Sequence, residues 1–163
     1  MNGKLLFLDI DGTLTEPGYN VPPASALEAI KKAQKNGHRV FLCSGRNLAM
    51  LKPLLSYGFD GYVASAGGYV VCDGTVVFDR PMKPEVFELA IGIGKLCEFL
   101  GKDIISDAIG FGDSMNDKEM FEAVGYSVCM DNGHPDMKAM AEYVCPAVGD
   151  DGLYKAFEHL GLI

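Results

Sequence analysis

The chain has 163 residues, of which 48% are hydrophobic, and a formal net charge of −8. That length suffices for one domain with a hydrophobic core but is short for two, and the composition excludes a disordered chain.

No lysine and arginine cluster occurs, which argues against nucleic acid as a partner. No apolar run approaches the ~20 residues of a membrane helix, so no membrane partner is expected. The first apolar run is a strand candidate and not a signal peptide, which indicates a cytoplasmic protein. The five cysteines form no Cys-x-x-Cys pair and indicate reduced, buried thiols.

Strand-like apolar runs alternate with helical patterns, which predicts an α/β fold with a doubly wound, Rossmann-like parallel sheet and helices on both faces. The Asp73-Gly74 pair predicts a small β-hairpin inside this pattern. The predicted strands lie at about 4–10, 39–43, 62–65, 69–72, 75–78, 108–111, 126–130 and 143–145. The predicted helices lie at about 24–35, after Asn47, at about 89–100, 115–123, 135–141 and 151–160. No repeat or linker is visible, so we expect one domain over residues 1–163.

Two carboxylates lie where the first predicted strand ends. Asp9 follows the apolar run, and Asp11 comes two residues later. Because the strand period is two residues, both side chains would leave the same side of an extended backbone. Two unpaired acids at the carboxyl end of a buried strand are costly unless a cation or a reaction uses them. The alternative is a pair of surface acids in a β-to-α turn.

Two further polar groups follow later strands. Ser44 and Gly45 end the second predicted strand and open a helix, where a hydroxyl and backbone N–H groups form a natural seat for phosphate. An ordinary helix cap explains that pair equally well. Asp113 leaves the strand at about 108–111, and Ser114 and Asp117 have the spacing of a capping box. A capped helix start is the alternative there.

The string Asp9-Ile10-Asp11-Gly12-Thr13 resembles the nucleophile motif of the haloacid dehalogenase superfamily of phosphohydrolases. The string from Gly112 to Asp117 resembles the fourth motif of its Cof-like phosphatases, a subfamily that acts on sugar phosphates. The resemblance implies a Mg²⁺-dependent phosphatase for a small phosphorylated metabolite, working through an aspartyl-phosphate. The roles that it implies are the nucleophile Asp9, the acid and base Asp11, the phosphate ligands Ser44, Gly45 and Asn116, the metal ligands Asp9, Asp11 (main-chain carbonyl) and Asp113, and Asp117 as support for metal and phosphate.

The chain departs from the Cof-like pattern at residues 79–95, where those proteins carry an inserted cap domain. Here the segment runs almost directly into a helix, so the resemblance implies a capless core. Gly92 and Gly94 interrupt that helix and are typical of a junction. The open site implies either a homo-oligomer in which a neighbour covers it or a cap-deleted form of a longer enzyme.

The second departure concerns the lysine of the third motif, which neutralises nucleophile and phosphate in the family. The usual spacing places Leu89 there, and Lys95 and Lys83 are the nearest substitutes. Lys95 follows six residues later, roughly 240° around the helix. A catalytically impaired domain that binds metal and phosphate is therefore the alternative function.

Overall fold

An eight-stranded sheet forms the centre of the computed structural model, which describes residues 3–81 and 88–163. The spatial strand order is β5-β4-β3-β2-β1-β6-β7-β8. The six strands from β3 to β8 across the sheet pair in parallel, whereas the β4–β5 hairpin adds two antiparallel strands at one edge. The strands are β1 Leu5–Leu8, β2 Arg39–Cys43, β3 Gly61–Ala64, β4 Tyr69–Cys72, β5 Thr75–Asp79, β6 Ala108–Gly112, β7 Tyr126–Met130 and β8 Tyr143–Cys145.

Helices cover both faces of this sheet, as predicted. One core cluster contains Ile30, Leu51 and Phe157, and the other contains Ile93 and Met120. The doubly wound α/β architecture is therefore confirmed. The helices are α1 Ala24–Lys35, α2 Leu48–Leu55, α3 Leu89–Phe99, α4 Ile104–Asp107, α5 Lys118–Ala123, α6 Pro135–Met140 and α7 Gly152–His159.

Strand β1 shows why a continuous apolar run was needed at the start of the chain. Leu6 and Leu8 pack in one core cluster, whereas Leu5 and Phe7 pack in the other. Successive side chains of a strand point to opposite faces, so a strand covered on both faces has no polar position. Each such side chain contributes about 1.5–3 kcal/mol on burial, which anchors β1 and the residue that follows it, Asp9.

The bounds of most elements agree with the sequence prediction, but β1 spans Leu5–Leu8 and is shorter than the predicted strand at about 4–10. Two further differences concern α4 and α5. Helix α4 was not predicted, although Asp103 gives it an N-cap by accepting from the backbone N–H groups of Ile105 and Ser106 at 3.1 and 2.8 Å. The helix predicted at 115–123 begins as a 3₁₀ turn, Met115–Asp117, and continues as α5. Both of these differences concern short turns. Local hydrogen bonds form such turns, and a pattern of apolar residues does not reveal those bonds.

Helix α3 continues unbroken through Gly92. A Cβ at this position would lie 2.6 Å from Val63 Cγ1 and 2.9 Å from the Gly67 Cα. Close packing therefore accounts for this glycine without a junction, whereas a Cβ at Gly94 would meet open space.

All five cysteines are buried and free, which agrees with the prediction of buried thiols. Within residues 3–81 and 88–163, no helix combines the length and the hydropathy needed to cross a bilayer.

Candidate active site

The predicted site residues meet where the winding of the sheet changes direction. Strand β1 lies between β2 and β6, and the chain leaves β1 at Asp9, β2 at Ser44 and β6 at Asp113. The carboxyl ends of parallel strands at such a switch point border a crevice. Three separate sequence motifs thus contribute side chains to one edge of the sheet.

A cavity of about 330 Å³ opens at this edge. The predicted residues that line it are Asp9, Asp11, Ser44, Gly45, Asn116 and Asp117. Asp113 does not line the cavity but lies directly beside Asp9. Met50, Leu89 and Ser114 also line it. Met50 was missed because a methionine one turn into α2 carries no chemical signal of its own.

Three carboxylates form a cluster at the base of the crevice. Asp9, Asp113 and Asp117 each offer an oxygen within 4.8 Å of the others. Burial, reinforced by the charge of Asp117, raises the pKa of Asp9 well above its ordinary value. Burial and the charge of Asp11 likewise raise the pKa of Asp113, although the Thr13 hydroxyl opposes this rise.

These raised pKa values show that negative charge is disfavoured in the cluster without a counter-ion. Carboxylate oxygens are hard ligands of the kind that divalent cations such as Mg²⁺ prefer. The donor set therefore fits a metal ion, and the three carboxylates could hold one.

Asp117 orders the loop that carries Asp113. Its Oδ2 accepts from the backbone N–H groups of Asp113 and Ser114, both at 3.0 Å, and the predicted capping box with Ser114 is present. The side chain is only 1% exposed, and this burial raises its pKa to about 7 despite the two donors. Asp117 thus aligns the loop from inside while adding charge to the cluster.

The loop that follows Asp9 packs directly on Asp113. The Thr13 hydroxyl donates to Asp113 Oδ1 at 3.2 Å. Gly12 has a φ of +88°, and a Cβ there would lie 2.2 Å from Asp113 Oδ2. Only glycine meets both the backbone and the space requirement, so Gly12 allows the two acidic loops to approach each other.

Asp11 is held at the mouth of the cavity by Arg46. The guanidinium donates to both carboxylate oxygens, at 3.1 Å from Nε and 2.7 Å from Nη2, and the Gly18 N–H donates at 3.0 Å. Burial opposes ionisation, but these donors keep the pKa of Asp11 below its ordinary value. Arg46 was not among the predicted site residues, because no spacing in the sequence marks it as the partner of Asp11.

Ser44 faces the cavity from the end of β2. The side chain is 5% exposed, and its Oγ accepts from the Arg46 N–H at 3.1 Å. Its own backbone N–H donates to the Val63 carbonyl at 2.9 Å, so hydrogen bonds fix both the backbone and the side chain of Ser44. Its hydroxyl hydrogen remains able to donate to an anion in the cavity.

Leu89 lies where the resemblance places a lysine. It is 2% exposed, lines the cavity and opens α3, with its N–H donating to Glu119 Oε2 at 3.1 Å. Lys95 does not line the cavity and pairs with Glu98 at 2.9 Å, while Lys83 lies outside the described residues. In the part of the chain that the structure describes, Arg46 is the one basic residue lining the cavity.

The fold and the site define a doubly wound α/β protein with a carboxylate centre at its switch point. A sequence model of the haloacid dehalogenase-like hydrolases matches residues 6–95 and 90–157, that is, most of the chain. The chain therefore belongs to the haloacid dehalogenase-like hydrolases.

Individual relatives agree with this assignment. An alignment of 258 positions joins the whole chain to the whole of protein YkrA of Bacillus subtilis at 24% identity. A phosphoglycolate phosphatase of Metallosphaera sedula is 31% identical over 121 residues, which cover 73% of this chain and 46% of that protein.

Solved structures show the same fold. A protein from Geobacillus kaustophilus superposes with a TM-score of 0.92 at 22% identity, covering 99% of this chain and 100% of the other. The sugar phosphatase BT4131, of subclass IIB, superposes with a TM-score of 0.83 at 20% identity, covering 98% and 100%.

Proposed function

We propose that this hydrolase is a phosphatase of small phosphorylated metabolites that uses Asp9 as its nucleophile. The observation that carries the proposal is the position of Asp9, which lines the cavity while its carboxylate joins those of Asp113 and Asp117 within 4.8 Å. Ser44 borders the same cavity from the neighbouring strand end. The names of the relatives from Metallosphaera sedula and of BT4131 agree with this class of reaction.

We assign the metal site to the carboxylates of Asp9 and Asp113 and the main-chain carbonyl of Asp11. Mg²⁺ is the proposed ion, and bound there it would screen the repulsion between nucleophile and phosphate. Asp117 supports the site through its hydrogen bonds to the loop of Asp113. The raised pKa values of Asp9 and Asp113 support this assignment, because a nearby cation would favour their ionised forms.

The chain's own residues then divide the reaction between them. The Asp9 carboxylate attacks phosphorus, and the bond from phosphorus to the leaving oxygen breaks to give an aspartyl-phosphate. Asp11 supplies the proton to the leaving oxygen. In the second step it takes a proton from the water that attacks phosphorus, and the bond from phosphorus to the Asp9 oxygen breaks to release phosphate and the free carboxylate. The Ser44 hydroxyl, the Gly45 N–H and the Asn116 side chain bind the phosphate oxygens.

Arg46 makes the two tasks of Asp11 unequal. As long as the guanidinium contacts both oxygens, Asp11 is a carboxylate, which suits the base of the second step. Protonation of the leaving oxygen requires that this contact loosen. Esters with good leaving groups, which need little help from an acid, are therefore favoured substrates for the resting geometry.

We further propose that the chain is a single core domain without the family's cap, over residues 1–163. The alignment of 258 positions with YkrA exceeds the length of this chain, so part of that relative faces no residue here. The family match also consists of two segments, 6–95 and 90–157, which meet at residues 90–95, next to the cavity-lining Leu89. A second copy of the chain is the proposed cover for the open site.

A second candidate function is a metal- and phosphate-binding core with little turnover. It is favoured by the apolar Leu89 at the cavity and by Lys95, which pairs with Glu98 instead of lining the cavity. Such a domain would bind phosphate and metal but stabilise the transferring phosphoryl group poorly.

Hydrolysis of p-nitrophenyl phosphate, with Mg²⁺ and with chelator, tests the proposal beside the Asp9→Asn variant. A phosphatase should require both Mg²⁺ and Asp9. Substantial activity of folded Asp9→Asn would refute the nucleophile assignment. No activity in a wild-type chain that is folded and binds Mg²⁺ would favour the second candidate.

A further inference from the structure

The side chain of Asn132 connects two loops that are distant in sequence. Its Nδ2 donates to the Gly12 carbonyl at 2.8 Å, and its Oδ1 accepts from the Val148 N–H at 2.8 Å. A carbonyl can only accept and an N–H can only donate, so both contacts together fix the orientation of the amide. Aspartate at this position could not donate to Gly12, and alanine could make neither bond.

One end of this bridge lies in the hydrophobic core, and the other lies next to the proposed metal ligands. Val148 is 5% exposed and belongs to the core cluster that also contains Leu14 and Phe157. Gly12 is part of the tight turn that follows the proposed nucleophile. Asn132 therefore ties the peptide after Asp11 to a part of the chain that the core holds in place.

The turn that carries Asn132 also contacts the loop that carries Asp113. The His134 N–H donates to the Asp113 carbonyl at 2.7 Å, two residues beyond Asn132. The turn from Asn132 to His134 thus holds the backbone of both loops that carry the proposed metal ligands, at Gly12 and at Asp113.

We infer that Asn132 is a positioning residue for the metal site, acting through the Gly12 carbonyl on the neighbouring Asp11 carbonyl. This inference rests on the proposed function, because it takes the metal ligands from there. Hydrogen bonds behind metal ligands are worth about tenfold to hundredfold in affinity where they have been removed from other sites. Loss of the amide should leave Asp9 and Asp113 in place but let the Asp11 carbonyl drift from its direction.

Binding of Mg²⁺ and Mn²⁺ alone, measured by calorimetry on the folded protein without substrate, tests the inference. Asn132→Ala should raise the metal dissociation constant about tenfold or more. Asn132→Asp keeps an acceptor for Val148 but places an oxygen against the Gly12 carbonyl. It should also bind metal more weakly than wild type, although its added negative charge acts in the opposite direction.

Asn36→Ala is the matched control. Asn36 is also an exposed asparagine whose amide ties distant parts of the chain, donating to the Leu162 carbonyl at 2.9 Å, and it is remote from the cavity. Its loss should lower the melting temperature as Asn132→Ala does, yet leave metal affinity within twofold of wild type.

The outcomes separate the inference from the function on which it rests. Equal metal affinity in wild type, Asn132→Ala and Asn36→Ala would overturn the inference alone. The same loss of affinity in Asn36→Ala as in Asn132→Ala would also overturn it, since general destabilisation would then suffice. A wild-type chain that bound neither cation would refute the metal site, and the inference with it.

Discussion

Replacement of Asp9 by asparagine should stabilise the metal-free protein. The substitution keeps the size of the side chain but removes one of three carboxylates whose oxygens lie within 4.8 Å of one another. The raised pKa of Asp9 has burial as its main cause and the charge of Asp117 as the next, and both penalties disappear with the charge. Asp9, the proposed nucleophile, is thus expected to destabilise the folded protein when no metal is bound.

The structure gives the scale of this effect. Two unit charges 4.8 Å apart repel by about 3 kcal/mol at an effective dielectric constant of about 20. Partial protonation within the cluster relieves part of that repulsion before any substitution is made. We therefore expect Asp9→Asn to gain about 1–3 kcal/mol in chelator, which corresponds to a rise in melting temperature of roughly 3–10 °C for a chain of this size.

Thermal unfolding in chelator above pH 7, followed by titration with Mg²⁺, measures both parts of the argument. A ligand that binds only the folded state stabilises it by about 2.7 kcal/mol at a hundredfold excess over its dissociation constant. Wild type should gain this stabilisation, whereas the variant should gain much less, so the order of stability should reverse.

Glu158→Gln is the control for this experiment, because it removes an exposed negative charge far from the cavity. An equal rise in melting temperature for Glu158→Gln would attribute the effect to net charge. If Asp9→Asn were no more stable than wild type in chelator, the argument from a repulsive carboxylate cluster would be wrong.

Three further predictions follow from individual contacts. Leu89→Lys should raise the rate of phosphate hydrolysis about tenfold over Leu89→Met, because only the lysine adds a cation to the cavity, and equal rates would contradict this reasoning. Ser44→Ala should lower kcat/KM about tenfold through the loss of one hydrogen bond to phosphate, whereas Ser56→Ala, at the exposed end of α2, should leave it unchanged. Burial raises the pKa of Asp117 from 3.8 to about 7, so the unfolded chain ionises at lower pH than the folded chain. The free energy of unfolding of wild type in chelator should therefore fall as the pH rises between these values, and that of Asp117→Asn should fall less. Urea unfolding at several pH values measures both, and parallel pH profiles would contradict the prediction.

The sequence predicted the sheet well because burial on both faces leaves a direct trace in it. Strand β1 reads as an unbroken apolar run, and the buried strands β2 and β7 have the predicted bounds. Helix α4 escaped prediction because its four residues include none that is buried, so no apolar pattern marks it.

The site could be predicted where function depends on a motif and not where it depends on contacts. Asp9, Asp113 and Ser44 come from strand ends, and the sheet brings those ends together. The bidentate pair of Arg46 with Asp11 and the bridge from Asn132 join residues that are 35 and 120 positions apart. No local spacing encodes such contacts, so only the folded chain reveals them.

The charge balance of the cavity connects these findings. Asp9, Asp11 and Asp117 line it and Asp113 lies beside them, whereas Arg46 is the one basic lining residue among those described and is already committed to Asp11. A phosphate dianion that enters this acidic cavity needs a counter-charge, and Leu89 cannot supply one. A metal ion bound as proposed would therefore carry more of the compensation here than in a relative with a lysine at that position. The groups that fix the metal ligands, namely Gly12, Asp117 and Asn132, should for the same reason control turnover as strongly as the groups that contact phosphate.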